Sequence, residues 1–334
     1  MVPAQRRVSR PGALGYHRLR PSAHARVRRP EYPLNRVHLN FSGAFPPIAT
    51  PFDDRGEVNT AGIRANVPRW LSAGVRGIVA LGSNGEAPLL SEDESDAVIA
   101  AVRDGVPPDR VLIAGTGRES TRATVAASRR AAHLGADAVL VRTPSYFKSR
   151  MTPDAFVAHY SAIADAVPVP VLLYNYPAVT GLTFTPDTVG RLAEHPNIVG
   201  MKETTTDAAQ IGAYINAARG QQFELLVGSA PGFYAALCLG ATGAILAAVC
   251  VVPRACVALF DAFTRGDHDT ARDLQRRINP IAAAVTAAYG VAGLKATMDL
   301  TGFVGGPPRP PLLPVPADAA DKLQQLLAPL SEFL

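Results

Sequence analysis

Eight short apolar runs punctuate the chain from Phe45 onward: Pro47–Thr50, Gly77–Leu81, Val111–Gly115, Ala138–Arg142, Pro170–Tyr174, Ile198–Lys202, Glu224–Gly228 and Gly243–Ala247. Each is short for a helix and reads as a buried parallel strand. The stretches between them carry helix signals. Ser91 and Glu94 form a capping box. Ser120 and Thr121 can cap a helix that ends at Gly135, and Ser229 with Pro231 opens another. Eight strands alternating with helices predict an α/β fold, a (β/α)8 TIM barrel. The barrel is expected over residues 43–250. Residues 251–334, with helical stretches at about 254–265, 269–287, 293–300 and 317–327, are expected to form a C-terminal helical extension that completes it. A doubly wound sheet is the competing arrangement, but no Gly-x-Gly-x-x-Gly follows the first run.

The basic balance of the chain is local. The formal charge is +5 over 334 residues, yet residues 1–40 hold nine arginines and one acid, Glu31. That stretch carries +8 and leaves about −3 for the rest, an ordinary balance that gives no nucleic-acid signal. Residues 1–42 are rich in Arg, Pro, Ala and His without apolar periodicity and read as a disordered basic leader. An Arg-rich, acid-poor start also fits a transit peptide, so the expected location is cytoplasmic, or the mitochondrial matrix if the leader is a targeting signal. Ala235–Val252 has no charge, but Gly240 and Gly243 interrupt it. It reads as a buried helix followed by a buried strand, so no membrane partner is expected. Cys238, Cys250 and Cys256 read as buried free thiols. Neither they nor the seven scattered histidines match a metal-site spacing, and no metal is expected.

In a barrel, chemistry gathers at the C-terminal ends of the strands. Taken in order, those ends are Thr50, then Gly82-Ser83-Asn84-Gly85-Glu86, Thr116, Thr143, Tyr174, Lys202, Gly228-Ser229 and Ile245. Lys202 stands out. It closes the apolar run Ile198–Lys202, and it is one of only four lysines in a chain whose positive charge is mostly arginine. Burial at a strand end should depress its pKa, and a neutral amine in a dry pocket attacks carbonyls to form a Schiff base. An exposed lysine at a strand boundary is the plain alternative. The Gly-rich turn suits a small carboxylate, through backbone N–H groups with Ser83 and Asn84, and equally suits a tight turn with a helix cap. Tyr174 can relay a proton or simply be a core tyrosine.

Together these segments resemble the pyruvate-dependent class I aldolase superfamily, which includes dihydrodipicolinate synthase and N-acetylneuraminate lyase. The resemblance covers about Phe45 to Leu312 and rests on four motifs: Gly-Ser-Asn-Gly-Glu at 82–86, Thr-Pro-Ser-Tyr at 143–146, Tyr-Asn-Tyr-Pro-Ala-Val-Thr-Gly at 174–181 and Gly-Met-Lys-Glu-Thr at 200–204. Residues 195–202, 293–299 and 305–312 make it most similar to 4-hydroxy-2-oxoglutarate aldolase. The resemblance implies that Lys202 forms the imine and that Tyr174 relays the proton. Tyr146 would complete the relay in a neighbouring subunit of a homodimer or homotetramer. Ser83 and Asn84 would hold the pyruvate carboxylate, backbone groups of Gly228 and Ile245 would line the pyruvate pocket, and Thr204 stands where substrate hydroxyls are met. One departure matters. Dihydrodipicolinate synthases usually carry arginine in the Tyr-Asn motif, where it meets the acceptor's carboxylate; here that residue is Val179, which cannot pair with one.

The expected function is therefore a Schiff-base lyase that cleaves or forms a small hydroxy-2-oxo acid, giving pyruvate and an aldehyde. The protonated imine is itself the electron sink, so no cofactor is expected. Dihydrodipicolinate synthase, a 2-keto-3-deoxy sugar acid aldolase or dehydratase, and an inactive paralogue that only binds a 2-oxo acid are the alternatives.

Overall fold

The computed structural model describes residues 39–334. The expected leader lies outside them except for its last four residues. Of these, Phe41 is buried beside Phe45, so the chain joins the barrel core before residue 43.

Eight strands, β1 (Gly43–Phe45), β2 (Gly77–Ala80), β3 (Val111–Gly115), β4 (Ala138–Arg142), β5 (Val171–Asn175), β6 (Ile198–Glu203), β7 (Glu224–Val227) and β8 (Gly243–Ile245), form one parallel sheet. Its order is β1-β8-β7-β6-β5-β4-β3-β2, and β1 and β2 meet to close it. At the closure, Pro47 bridges Val79, the Ile48 N–H donates to the Val79 carbonyl at 2.9 Å, and the Val79 N–H donates to the Pro46 carbonyl at 3.0 Å. The first strand is thus displaced from the expected Pro47–Thr50. Pro46 and Pro47 have no N–H to give to a ladder, so regular pairing ends at Phe45 and 47–50 continues as irregular extended chain.

Helices α1 (Thr60–Ser72), α2 (Glu92–Arg103), α3 (Thr121–His133), α4 (Pro153–Ala166), α5 (Pro177–Thr180), α6 (Pro186–Ala193), α7 (Ala208–Ala217), α8 (Phe233–Leu239) and α9 (Pro253–Thr264) connect and surround the strands. The local signals explain their starts. Ser91 and Glu94 make both bonds of the capping box at α2, and Ser120 caps α3. Ser229 makes no capping bond; a 3-10 turn intervenes before α8. The uncharged run resolves into α8, a left-handed Gly240 and β8, and no helix of the described residues is long and apolar enough to cross a membrane.

Two cores result. Phe45, Val79, Ile113, Leu140, Leu172 and Ile245 are among the side chains that fill the barrel, while a larger apolar layer lies between strands and helices. Beyond α9, α10 (His268–Ala283) runs through a π-helical turn, Ala284–Ala288, into α11 (Gly290–Leu300), and α12 (Ala319–Leu327) follows. Cys250 and Cys256 are buried free thiols as expected, but Cys238 is exposed on α8, because its position falls on the helix face turned away from the core.

Candidate active site

The register of the sheet assembles the site. Arg142 on β4 pairs with Tyr174 on β5, which pairs with Lys202 on β6. Paired residues of parallel strands point to the same side of a sheet. Leu140 and Leu172, two residues earlier on their strands, belong to the barrel interior, so all three side chains project into the barrel at its C-terminal end.

Lys202 is 4% exposed. Its Nζ lies 3.4 Å from the Tyr174 Oη and 4.4 Å from the centre of the Tyr174 ring. Burial disfavours the ammonium and lowers its pKa from 10.5 to about 7. Burial also raises the Tyr174 phenol to about 12, so it is a protonated hydroxyl at neutral pH. The Ser83 Oγ is 3.2 Å from the same hydroxyl. Amine, phenol and hydroxyl thus form a line along which a proton can move.

The loop that carries Ser83 is held under constraint. Leu81 and Glu86 at its two ends both adopt left-handed backbone, with φ of 58° and 54°, a conformation uncommon for residues other than glycine. A 3-10 turn over Ser83–Gly85 lies between them. The first N–H groups of such a turn have no carbonyl within it to bind, which leaves those of Ser83 and Asn84 for a ligand. The Asn84 Nδ2 donates to the Pro47 carbonyl at 3.3 Å, fixing the loop against the end of β1.

A second anchor was not legible in the sequence. Glu86 is buried and pairs with the equally buried Lys295 of α11 at 2.5 Å. The Lys295 Nζ also donates to the Pro307 carbonyl at 2.8 Å, and the Arg309 N–H donates to the Glu86 Oε2 at 2.8 Å. Arg309 in turn forks onto Glu94 and lies over the Phe52 ring. The C-terminal segment is therefore bolted to the Gly-rich loop by charge.

A cavity of about 800 Å³ opens in front of Ser83, Asn84 and Tyr174, walled by Arg118, Glu119, Arg142, Tyr176 and Val179 and bordered by the π-helical turn and Pro311-Leu312. Lys202, Thr204, Gly228 and Ile245 do not line it; Lys202 reaches it only through Tyr174. The Thr204 hydroxyl donates to the Asn175 carbonyl. Gly228 packs so tightly that an added Cβ would stand 2.3 Å from the Thr204 Cγ2 and 2.9 Å from the Lys202 Cε. Ile245 is a barrel-core side chain. Tyr146 is set apart. Its ring is 79% exposed against Phe147, and only its backbone N–H is engaged, with Glu119. Arg142 was a missed residue with the same signal as Lys202: a charge that closes an otherwise apolar run.

A (β/α)8 barrel whose mouth holds a buried amine, a phenol and a Gly-rich loop of small polar residues is an enzyme built for carbonyl chemistry. Residues 40–330 match the Dihydrodipicolinate synthetase family, and the chain belongs to it. It is accordingly a lyase of the Schiff-base, class I aldolase type. A 4-hydroxy-tetrahydrodipicolinate synthase of Exiguobacterium sp. is 36% identical over 87% of this chain and 99% of the relative. One of Methanospirillum hungatei is 34% identical over 86% and 99%. Among solved structures, YagE, a prophage protein of the dihydrodipicolinic acid synthase family from E. coli K12 in complex with pyruvate, superposes with a TM-score of 0.82 at 31% identity, covering 87% of this chain and 99% of that one. The chloride-inhibited dihydrodipicolinate synthase of Acinetobacter baumannii complexed with pyruvate gives 0.82 and 31%, covering 88% and 99%. The two sequence relatives and the Acinetobacter structure bear the synthase name.

Proposed function

We propose that this protein is an aldolase for a small hydroxy-2-oxo acid, with 4-hydroxy-2-oxoglutarate, cleaved to glyoxylate and pyruvate, as its first substrate. The observation that carries the proposal is the Lys202 amine, buried, with its pKa brought to about 7 and 3.4 Å from the Tyr174 hydroxyl. The neutral amine adds to the 2-oxo carbon, and loss of water leaves a protonated imine. The electrons of the C3–C4 bond flow into that imine as the 4-hydroxyl loses its proton and the aldehyde leaves. The resulting enamine takes a proton at C3, and hydrolysis frees pyruvate and Lys202. Tyr174, between Lys202 and Ser83, is the group suited to pass these protons. Ser83 and Asn84 hold the pyruvate carboxylate, backbone groups of Gly228 and Ile245 line a pyruvate subsite beside Lys202 and behind the open cavity, and Thr204, whose proton goes to the Asn175 carbonyl, meets the substrate hydroxyl as an acceptor. Tyr146 completes the relay in a second copy of the chain, within a dimer or tetramer.

Borohydride reduction in the presence of pyruvate, followed by peptide mapping, tests the reading. A reduced pyruvyl adduct on Lys202, absent from Lys202→Ala, is the expected result; a folded protein without an adduct would sink it. The names of the relatives favour one other reading, a 4-hydroxy-tetrahydrodipicolinate synthase. Val179 counts against it, and condensation of pyruvate with aspartate semialdehyde measures it directly.

A further inference from the structure

Val179 leaves the cavity without the cation that would meet a second carboxylate on the Tyr-Asn segment. Two other cations line the same space, Arg118 and Arg142. Each nitrogen of the Arg118 guanidinium has a partner: its Nε and Nη2 fork onto Glu92, and its Nη1 donates to the Gly117 carbonyl. Arg142 differs. Its Nη1 donates to the Glu119 Oε1 at 2.9 Å and to the Thr143 carbonyl at 3.3 Å. Its Nε and Nη2 have no hydrogen-bond partner among the described residues. Those two N–H groups form one edge of the guanidinium plane, the edge that binds a carboxylate through two parallel hydrogen bonds.

Three further features place that edge. Arg142 is in register with Tyr174 and Lys202, and two strand spacings put its Cα about 10 Å from that of Lys202. That separation suits an acid held at one end as an imine and at the other by a carboxylate three carbons away. The Arg142 stem leans over Gly117, where an added Cβ would stand 2.7 Å from the Arg142 Cγ. Finally, Glu119 takes only one side of the guanidinium. It also accepts from the Ser145 and Tyr146 N–H groups at 2.8 and 2.9 Å, which ties Arg142 to the loop after β4.

We propose that Arg142 receives the distal carboxylate of a dicarboxylic 2-oxo acid, making this a dicarboxylate-selective site. The proposal rests on the aldolase reading above, and the experiment separates the two. Pyruvate release is measured from 4-hydroxy-2-oxoglutarate and from 4-hydroxy-2-oxopentanoate, in which a methyl group replaces the distal carboxylate, for the wild type, Arg142→Gln and Arg142→Lys. The wild type should prefer the dicarboxylate. In Arg142→Gln the ratio of the two kcat/KM values should fall by about 10- to 100-fold, mostly through KM for the dicarboxylate, as expected for loss of a charge-assisted hydrogen-bonded pair; Arg142→Lys should recover part of it. An equal loss on both substrates would assign Arg142 a structural role and overturn the proposal, as would an unchanged ratio. Borohydride trapping with pyruvate, which lacks a distal carboxylate, is run on each protein. No adduct on the wild type defeats the aldolase reading itself. A wild type that forms the adduct but cleaves neither acid defeats the 4-hydroxy-2-oxoglutarate assignment and the Arg142 proposal with it; one that cleaves both without preferring the dicarboxylate defeats the Arg142 proposal alone.

Discussion

The Lys202 amine stands 3.4 Å from the Tyr174 hydroxyl across the β5–β6 register, with the Tyr174 ring beneath it. This contact serves two purposes. The ring helps to exclude water, which disfavours the ammonium, and the hydroxyl offers the amine a proton-transfer partner that links it to Ser83.

The first consequence concerns pH. Below about 7 the amine is protonated and cannot attack, so the rate of pyruvate trapping should fall tenfold per pH unit on the acid side and level off above neutrality. Trapping rates between pH 5 and 9 check this; a plateau reached only near pH 10 would mean an ordinary lysine.

The same burial makes Lys202 costly to fold. Folding depresses its pKa from 10.5 to about 7, so between those values the unfolded chain holds a proton that the folded one does not. Wild-type stability should therefore rise with pH through that window. Lys202→Met should abolish the adduct yet raise stability at pH 7 by about 2–4 kcal/mol, with the gain shrinking toward pH 10. Urea unfolding at pH 7 and pH 10 reads both effects.

Tyr174→Phe removes only the hydroxyl between Ser83 and Lys202. Turnover should drop by about 10²- to 10⁴-fold, the usual loss for a positioned proton donor, while the ring still shields the amine. A turnover number within threefold of the wild type would remove Tyr174 from the mechanism.

At Gly228 the added methyl group of Gly228→Ala has no room between Thr204 and the Lys202 stem. It should cost about 1–3 kcal/mol of stability. Moving Lys202 should also slow pyruvate trapping, measured on protein shown to be folded by its circular dichroism.

Lys295 and Glu86 are both about 1% exposed, so removing one strands the other's charge. Lys295→Met should destabilise by about 3–5 kcal/mol. The double variant with Glu86→Gln should lose less than the two single losses combined, a coupling that denaturant titration of all four proteins measures.

Much of this organisation was legible without coordinates, because it is periodic and local. Short apolar runs with one polar residue at the end mark strands that enter a core and finish at a mouth; Tyr174 and Lys202 were found by that rule. Arg142 obeyed it as well, and went unremarked because arginine is so common in this chain. The first strand was misjudged because Pro46 and Pro47 look apolar but cannot donate to a ladder. The Ser229 cap and the burial of Cys238 were also misread, since each depends on how a helix is turned against its neighbours.

The amino-acid order alone dictated the barrel, through the alternation of run lengths that only strands and helices satisfy, and it dictated which residues stand at or beside the end of every strand but the first. What it could not dictate is distance. That Lys202 faces Tyr174, that Arg142 keeps one guanidinium edge without a partner among the described residues, and that Lys295 reaches Glu86 from the far end of the chain are products of sheet register and helix docking. Those arise from the packing of the whole apolar core, in which every strand contributes and no local segment carries the answer.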